Sequence, residues 1–317
     1  MLAELVEKVR QSAGIRHKQD IQWAAKYVGD REFVLGDDCA AIADGNDYLL
    51  LAAEGMLPQF VRDEPWFAGW CGVMVNVSDI CAMGGKAIAI VDTLWSQTPE
   101  ASTPVWEGMR AAAAAYNVPI VGGHTNCHSP HAGLSVAILG RATHLMSSFT
   151  ARPGDRLLMA VDLNGQQFPN APFWNAATEA DPVRLRKQLT ILPELASSGT
   201  CRTGKDISNG GVLGTALMLL EASRVGADIE VDRIPKPEAI AIADWVQWFP
   251  SYGFLLSVSP DLVGEIRDRF HRQEISCEAI GTVTVARQVH LRSSDESALL
   301  WNFDREALTG CAGAFAS

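Results

Sequence analysis

Two long apolar segments constrain this chain most: YLLLAA at residues 48–53 and AIAIVDTLW at residues 87–95 carry almost no polar alternation. A strand with one wet face alternates apolar and polar side chains, so segments of this kind read as strands covered on both faces. Helical patterns lie between the strands. Behind Pro65, the residues Trp66, Trp70, Val73, Val77 and Ile80 recur at helical spacing and stop at Gly84-Gly85 in the manner of a C-cap, and an Ala-rich helix fills about 103–116. Further strands follow in VPIVGG at 118–123 and GLSVAILGRA at 133–142. This rhythm predicts an α/β (α+β) fold, with helices covering one side of the sheet and a second copy of the chain covering the other.

A length of 317 residues suits two packed units. Turn-formers gather at Ala151-Arg152-Pro153-Gly154-Asp155, which places the domains at 1–150 and 151–317. The chain opens on an amphipathic helix through Leu2, Leu5, Val6 and Val9, breaks over 12–16, and resumes helix at about 18–27. The second domain starts at RLLMAVDL and carries a polar loop at 164–177, where Phe168, Phe173 and Trp174 are candidates to pack on a substrate. A helix at 182–198, the segment KDISNGGVLGTALMLLEAS, strands at 253–258 and 275–284, and a helix at 262–272 complete it.

Charge narrows the partners. Lys and Arg number 26 against 37 Asp and Glu, a net −11, which disfavours nucleic acid and anionic lipid. No apolar run approaches the ~18 residues of a membrane span, the first ten residues lack the apolar centre of a signal peptide, and the seven cysteines include no C-x-x-C pair, so a reduced cytoplasmic setting is expected. An acidic chain still binds a phosphorylated ligand when bound cations oppose the charge.

Four carboxylates stand at loops or element ends: Asp37 and Asp38 in GDDCA, Glu54 after a strand, and Asp79 in NVSDICAMGG. Hard oxygen ligands from separate loops suit Mg²⁺, which completes its shell with water and substrate phosphates. Asn76 and Asp79 are three apart on one helix and share a face. Each Asp taken alone reads as well as a turn residue or cap. In DISNGG, Ser208 or Asn209 can cap the following helix, while Gly210 and Gly211 bring backbone N–H groups to its positive end, a phosphate site or an ordinary N-cap. VGGHTN offers Gly122 and Gly123 for close backbone approach, with His124 and Asn126 beyond them. His124, Cys127, His128 and His131 crowd one loop, whereas structural zinc sites join two separated ligand pairs, so four polar loop residues are the better reading. Signatures of serine hydrolases, zincins, P-loops and dinucleotide folds are missing, and the tryptophans lack the basic interleaving of a nucleic-acid platform.

The order GDD, acid at a strand end, NVSDICAMGG, GGHTN, DISNGG is more specific than any piece. It resembles the superfamily of aminoimidazole ribonucleotide synthetase, thiamine-monophosphate kinase, selenophosphate synthetase and the hydrogenase-maturation carbamoyl dehydratase, and most of all the aminoimidazole-ribonucleotide-synthetase-related proteins. The resemblance implies an N-terminal ATP- and Mg²⁺-binding domain whose sheet pairs with that of a second subunit in a homodimer, followed by a C-terminal α/β domain. By motif, Asp37 matches the metal-binding Asp of the kinase's GDD loop with Asp38 beside it, Asp79 matches the Asp of its N-x-S-D helix, and Asp206 opens its phosphate loop. Two departures stand out: Ala52-Ala53-Glu54 where the kinases carry T-T-D, and Gly122-Gly123-His124 where they carry G-G-D. The Cys expected before a lysine in selenophosphate synthetases is missing from GIRHKQD, leaving Lys18 as a surface residue or a phosphate contact.

The expectation is therefore an ATP- and Mg²⁺-dependent enzyme that phosphorylates or activates a small-molecule acceptor. Asp37, Asp38, Glu54 and Asp79 hold metal, Asp206, Ser208, Asn209, Gly210, Gly211, Gly122, Gly123 and Asn76 meet the nucleotide, and His124 and Asn126 meet the γ-phosphate or acceptor. The alternative is a nucleotide-binding partner subunit of a biosynthetic complex that has lost turnover.

Overall fold

The computed structural model describes residues 1–28, 34–169, 171–294 and 296–311. The chain divides into two compact units, one made of Asp38–Leu145 with Ala177–Ser197, the other of Met1–Asp37, Met146–Ala176 and Ser198–Ser317. These are not the consecutive halves 1–150 and 151–317, because two segments join the unit remote in sequence. The helix Leu2–Arg10 buries Leu2, Leu5 and Val9 in a core with Leu291, Leu300 and Trp301, and the Arg10 guanidinium lies 4.4 Å over the Trp301 ring. In the other direction, Arg186 of the helix Pro182–Leu189 donates to the Ala115 carbonyl at 3.0 Å, and the Cys81 thiol donates to the Leu189 carbonyl at 3.3 Å.

The first unit is built on strands β1 (Ala40–Asp44), β2 (Asp47–Met56), β3 (Lys86–Trp95), β4 (Ile120–Asn126) and β5 (Gly133–Ala142), in the order β1-β2-β5-β3-β4, with β3 and β4 parallel. β2 runs past the apolar hexapeptide to Met56, so Glu54 is a strand residue rather than the first residue beyond one. β4 likewise runs on from the expected strand at 118–123 to take in His124 and Asn126. Leu50, Ile90, Leu94, Val136 and Ile138 are buried on the face toward the helix Pro65–Ala82. On the opposite face Leu51, Val91 and Trp95 are 48%, 43% and 39% exposed, so a single chain covers one face of this sheet, not both.

The helix Pro65–Ala82 is mostly apolar, with Asn76, Ser78 and Asp79 toward its end, and is buried nearly throughout, as a helix between a sheet and a second helix must be. Its partner is Pro99–Tyr116, capped by Thr98, whose hydroxyl accepts from the Ala101 N–H at 3.2 Å, and closed by Asn117 in the left-handed region. Glycines set their approach: a Cβ at Gly108 would stand 1.9 Å from the Trp66 carbonyl oxygen, and one at Gly69 would stand 2.1 Å from that of Val105.

The second unit holds β6 (Arg156–Val161), β7 (Gln166–Gln167), β8 (Phe173–Asn175), β9 (Thr203–Asp206), β10 (Gly226–Glu230), β11 (Phe249–Pro250), β12 (Gly253–Val258), β13 (Ser276–Thr284), β14 (Gln288–Ser293) and β15 (Glu296–Asn302). Its main sheet runs β15-β14-β10-β13-β6-β12-β9, and β11-β8-β7 form a small one. The helix Gly211–Ala222 contributes Leu213, Leu217 and Leu220 to the core. Near the N-terminus, Ser12 caps Ala13–Gln19 by accepting from the Ile15 N–H, so helix forms where a break was expected. Of the aromatics at 164–177, Phe168 is half-buried. Phe173 and Trp174 are buried, and the Trp174 indole donates to the Asp162 carbonyl at 3.1 Å; Asn170 in this stretch lies outside the described residues.

Candidate functional site

Asp38, half-buried ahead of β1, and Asp79, buried on the helix Pro65–Ala82, bring carboxylate oxygens within 4.8 Å of one another. Two like charges at this separation repel, and Asp79 also sits in the last helical turn, where the macrodipole is negative. Both placements suit ligands of one hard cation, since metal–oxygen bonds of roughly 2.0–2.6 Å put two ligand oxygens within this span.

Asp37 plays a different part. Its carboxylate accepts from the Ser147 hydroxyl at 2.7 Å, the Ser148 hydroxyl at 2.7 Å and the Ser148 N–H at 3.1 Å. The chain passes between the two units at 37/38, 145/146, 176/177 and 197/198, and this carboxylate ties together the segments at the first two of these. Asn76 is wholly buried, and its side-chain N–H₂ donates to the Gly72 carbonyl at 2.8 Å and to the Val136 carbonyl at 3.1 Å, pinning the Asp79 helix to β5.

Glu54 is exposed on β2, opposite Val136. Gly122, Gly123, His124 and Asn126 lie exposed along the edge strand β4. The Asn126 side chain accepts from the His128 N–H at 2.8 Å, a local turn that ends the strand. Among the described residues His124, Cys127, His128 and His131 form no three-ligand metal group.

In the second unit Asp206 is buried at the end of β9. Neither Ser208 nor Asn209 caps the next helix: Gly210 occupies the N-cap position with no side-chain bond, and Gly211 adopts φ +62°, its N–H donating to the Ser208 carbonyl at 2.8 Å. The helix Ala13–Gln19 packs onto this loop through Gly14, where a Cβ would stand 2.1 Å from the Asn209 carbonyl oxygen. Sequence reasoning passed over one residue, Asp92, a buried acid inside β3; its signal was a carboxylate within an otherwise apolar run.

Family models for the N-terminal and C-terminal domains of AIR synthase related proteins match residues 36–142 and 153–293. The chain belongs to the AIR synthase related family. The first match opens at the GDDCA loop and closes with β5, so the matched span includes Asp38 and Asp79. An uncharacterised Synechocystis protein is 50% identical over 99% of both chains. Among solved structures, T. maritima PurL complexed with ADP superposes with a TM-score of 0.74 at 18% identity over 96% of this chain, which spans 52% of the PurL chain. AaThiL complexed with AMPPCP and TMP superposes with a TM-score of 0.66 at 17% identity, covering 89% of this chain and 96% of the other. At these identities the structural likeness establishes the AIR synthase-like fold. No helix among the described residues is long and apolar enough to cross a membrane.

Proposed function

We propose that the chain is a Mg²⁺-dependent, ATP-using enzyme that phosphorylates or activates a small-molecule acceptor. The observation that carries this reading is the Asp38/Asp79 carboxylate pair, whose oxygens lie close enough for one hard cation to span. The structural relatives solved with ADP, or with AMPPCP and TMP, support nucleotide and phosphoryl chemistry on this fold. Asp38 and Asp79 hold the metal, which when bound neutralises charge on the nucleotide's phosphates. Asp37 anchors their loop, Asn76 holds the Asp79 helix in register, and Glu54 is a further carboxylate for a metal ion. Asp206 and the backbone of Ser208, Asn209, Gly210 and Gly211 are assigned to the phosphates, and Gly122, Gly123, His124 and Asn126 to the γ-phosphate or acceptor. Catalysis by positioning and electrostatics needs no dedicated nucleophile.

Calorimetric titration with ATP tests this. Binding is expected with Mg²⁺ and is expected to weaken by at least ~10-fold in EDTA, as for phosphates bound mainly through a cation. No binding in either condition would remove the reading, and tight binding with no ADP release under any acceptor would favour a nucleotide-binding partner subunit.

We also infer a homodimer. The uncovered apolar face of Leu51, Val91 and Trp95 supports it, because a broad exposed apolar sheet face marks an association surface. Light scattering is expected to report twice the chain mass of 34.2 kDa; a monomer at micromolar concentration would count against it.

A further inference from the structure

Asp92 is 4% exposed, and neither of its carboxylate oxygens meets a hydrogen-bond partner from another of the described residues. Burial pushes its carboxyl above the ordinary range. Nearby, Asn76 commits its N–H₂ to Gly72 and Val136 and leaves its buried Oδ1 without a partner among the described residues. Val136 is the residue paired with Asp92 between β5 and β3, so the two side chains border the same residue. On the other flank, across β4, stands Gly123, where a Cβ would come within 2.3 Å of the Asp92 Oδ1. Glu54 faces Val136 from β2, so Glu54, Val136, Asp92 and Gly123 make one row across the sheet.

A carboxylate buried for structural reasons is paired, and this chain contains the contrast. The buried Glu221 accepts from the Thr309 N–H at 2.7 Å, the Leu308 N–H at 2.8 Å and the Thr309 hydroxyl at 2.6 Å. Asp92 has none of this, and buried acids left unpaired concentrate where another group belongs. Three oxygens that can accept, and no donor to meet them, define the complement: a nitrogen bearing several N–H bonds.

We propose that Asp92 and Asn76 form a nitrogen-recognising subsite for the acceptor, approached across Gly122 and Gly123, so that the acceptor presents an amine, amidine or amide nitrogen. This deepens the phosphate-transfer reading and rests on it for the word acceptor. The subsite itself is tested without nucleotide. Saturation-transfer NMR on the full chain compares acetamidine and urea with acetate, for the unaltered protein and for Asp92→Val, alongside thermal unfolding of both. Acetamidine and urea are expected to show saturation that acetate does not. Their affinity is expected to fall about tenfold in Asp92→Val, the effect of one charge-assisted hydrogen bond. The same variant is expected to unfold roughly 2 °C or more higher, because an unpaired buried carboxyl has been removed.

Equal saturation in the variant, or equal binding of acetate, would overturn the proposal, as would an unfolding midpoint below that of the unaltered chain. Where Asp92→Val does not fold, the near-isosteric Asp92→Asn carries the test with the same expectations for acetamidine, and failure of both variants to fold would assign the carboxyl a structural role and end the proposal. The Mg²⁺–ATP titration of the unaltered chain judges the phosphate-transfer reading separately, since the probes bind or fail to bind without nucleotide.

Discussion

Asp79→Asn is expected to abolish Mg²⁺-dependent nucleotide binding and to lower ATP turnover by ~10²–10³-fold, the size of losing one preorganised electrostatic element of a site. The unfolding midpoint is expected to stay level or rise. Asp79 lies within 4.8 Å of the Asp38 carboxylate and in the last turn of its helix, so neutralising it relieves a like-charge contact and an unfavourable dipole contact together. Asp38→Asn should behave the same way. Asp37→Asn should do the opposite: an amide places N–H₂ against the Ser147 and Ser148 donors, costing about 1–3 kcal/mol of stability. Scanning calorimetry and Mg²⁺ titration on the three variants separate the roles. Unchanged Mg²⁺–ATP binding in Asp79→Asn would dispose of the ligand assignment, and an Asp37→Asn protein of undiminished stability would dispose of the anchor.

Turn chemistry alone could not divide those roles, because Asp37 and Asp38 occupy equivalent places in a Gly-Asp-Asp turn and differ only in what the distant residues 147, 148 and 79 bring to them. Elements with strong local patterns were legible. β5 spans the residues its alternation indicates, and the helix behind Pro65 ends in the turn ahead of its glycine pair. What local pattern missed was set by pairing. The strand expected at 118–123 continues to Asn126 because the edge strand β4 runs parallel to β3 as far as Trp95, and beside Asp92 only a glycine, Gly123, leaves room. DISNGG invites a Ser or Asn cap, but Gly210 is the N-cap and the helix starts at Gly211, with its positive φ. The attachment of residues 1–37 to the second unit depends on Arg10 and Trp301, nearly three hundred positions apart. Asp92 escaped notice because a single acid in AIAIVDTLW was averaged into an apolar run.

Gly108→Val is expected to cost at least about 3 kcal/mol, lowering the unfolding midpoint by roughly 6 °C or more. The clash is with backbone: the first carbon of the new side chain would stand 1.9 Å from the Trp66 carbonyl oxygen, which no rotamer change relieves, so the helices Pro65–Ala82 and Pro99–Tyr116 must separate. Separation strains what the first helix carries. Its other face is fastened to the sheet by the Asn76 amide on the Val136 carbonyl, and one turn farther on it presents Asp79 toward Asp38. A displacement there lengthens the carboxylate pair beyond the span of one cation, so Mg²⁺ affinity should fall in the same variant even at temperatures where it remains folded. Gly108→Ala is the graded control, expected to lose less stability and less Mg²⁺ affinity in step. Loss of stability in Gly108→Val with Mg²⁺ binding untouched would show that the helix contact holds the fold without setting the geometry of the carboxylate pair.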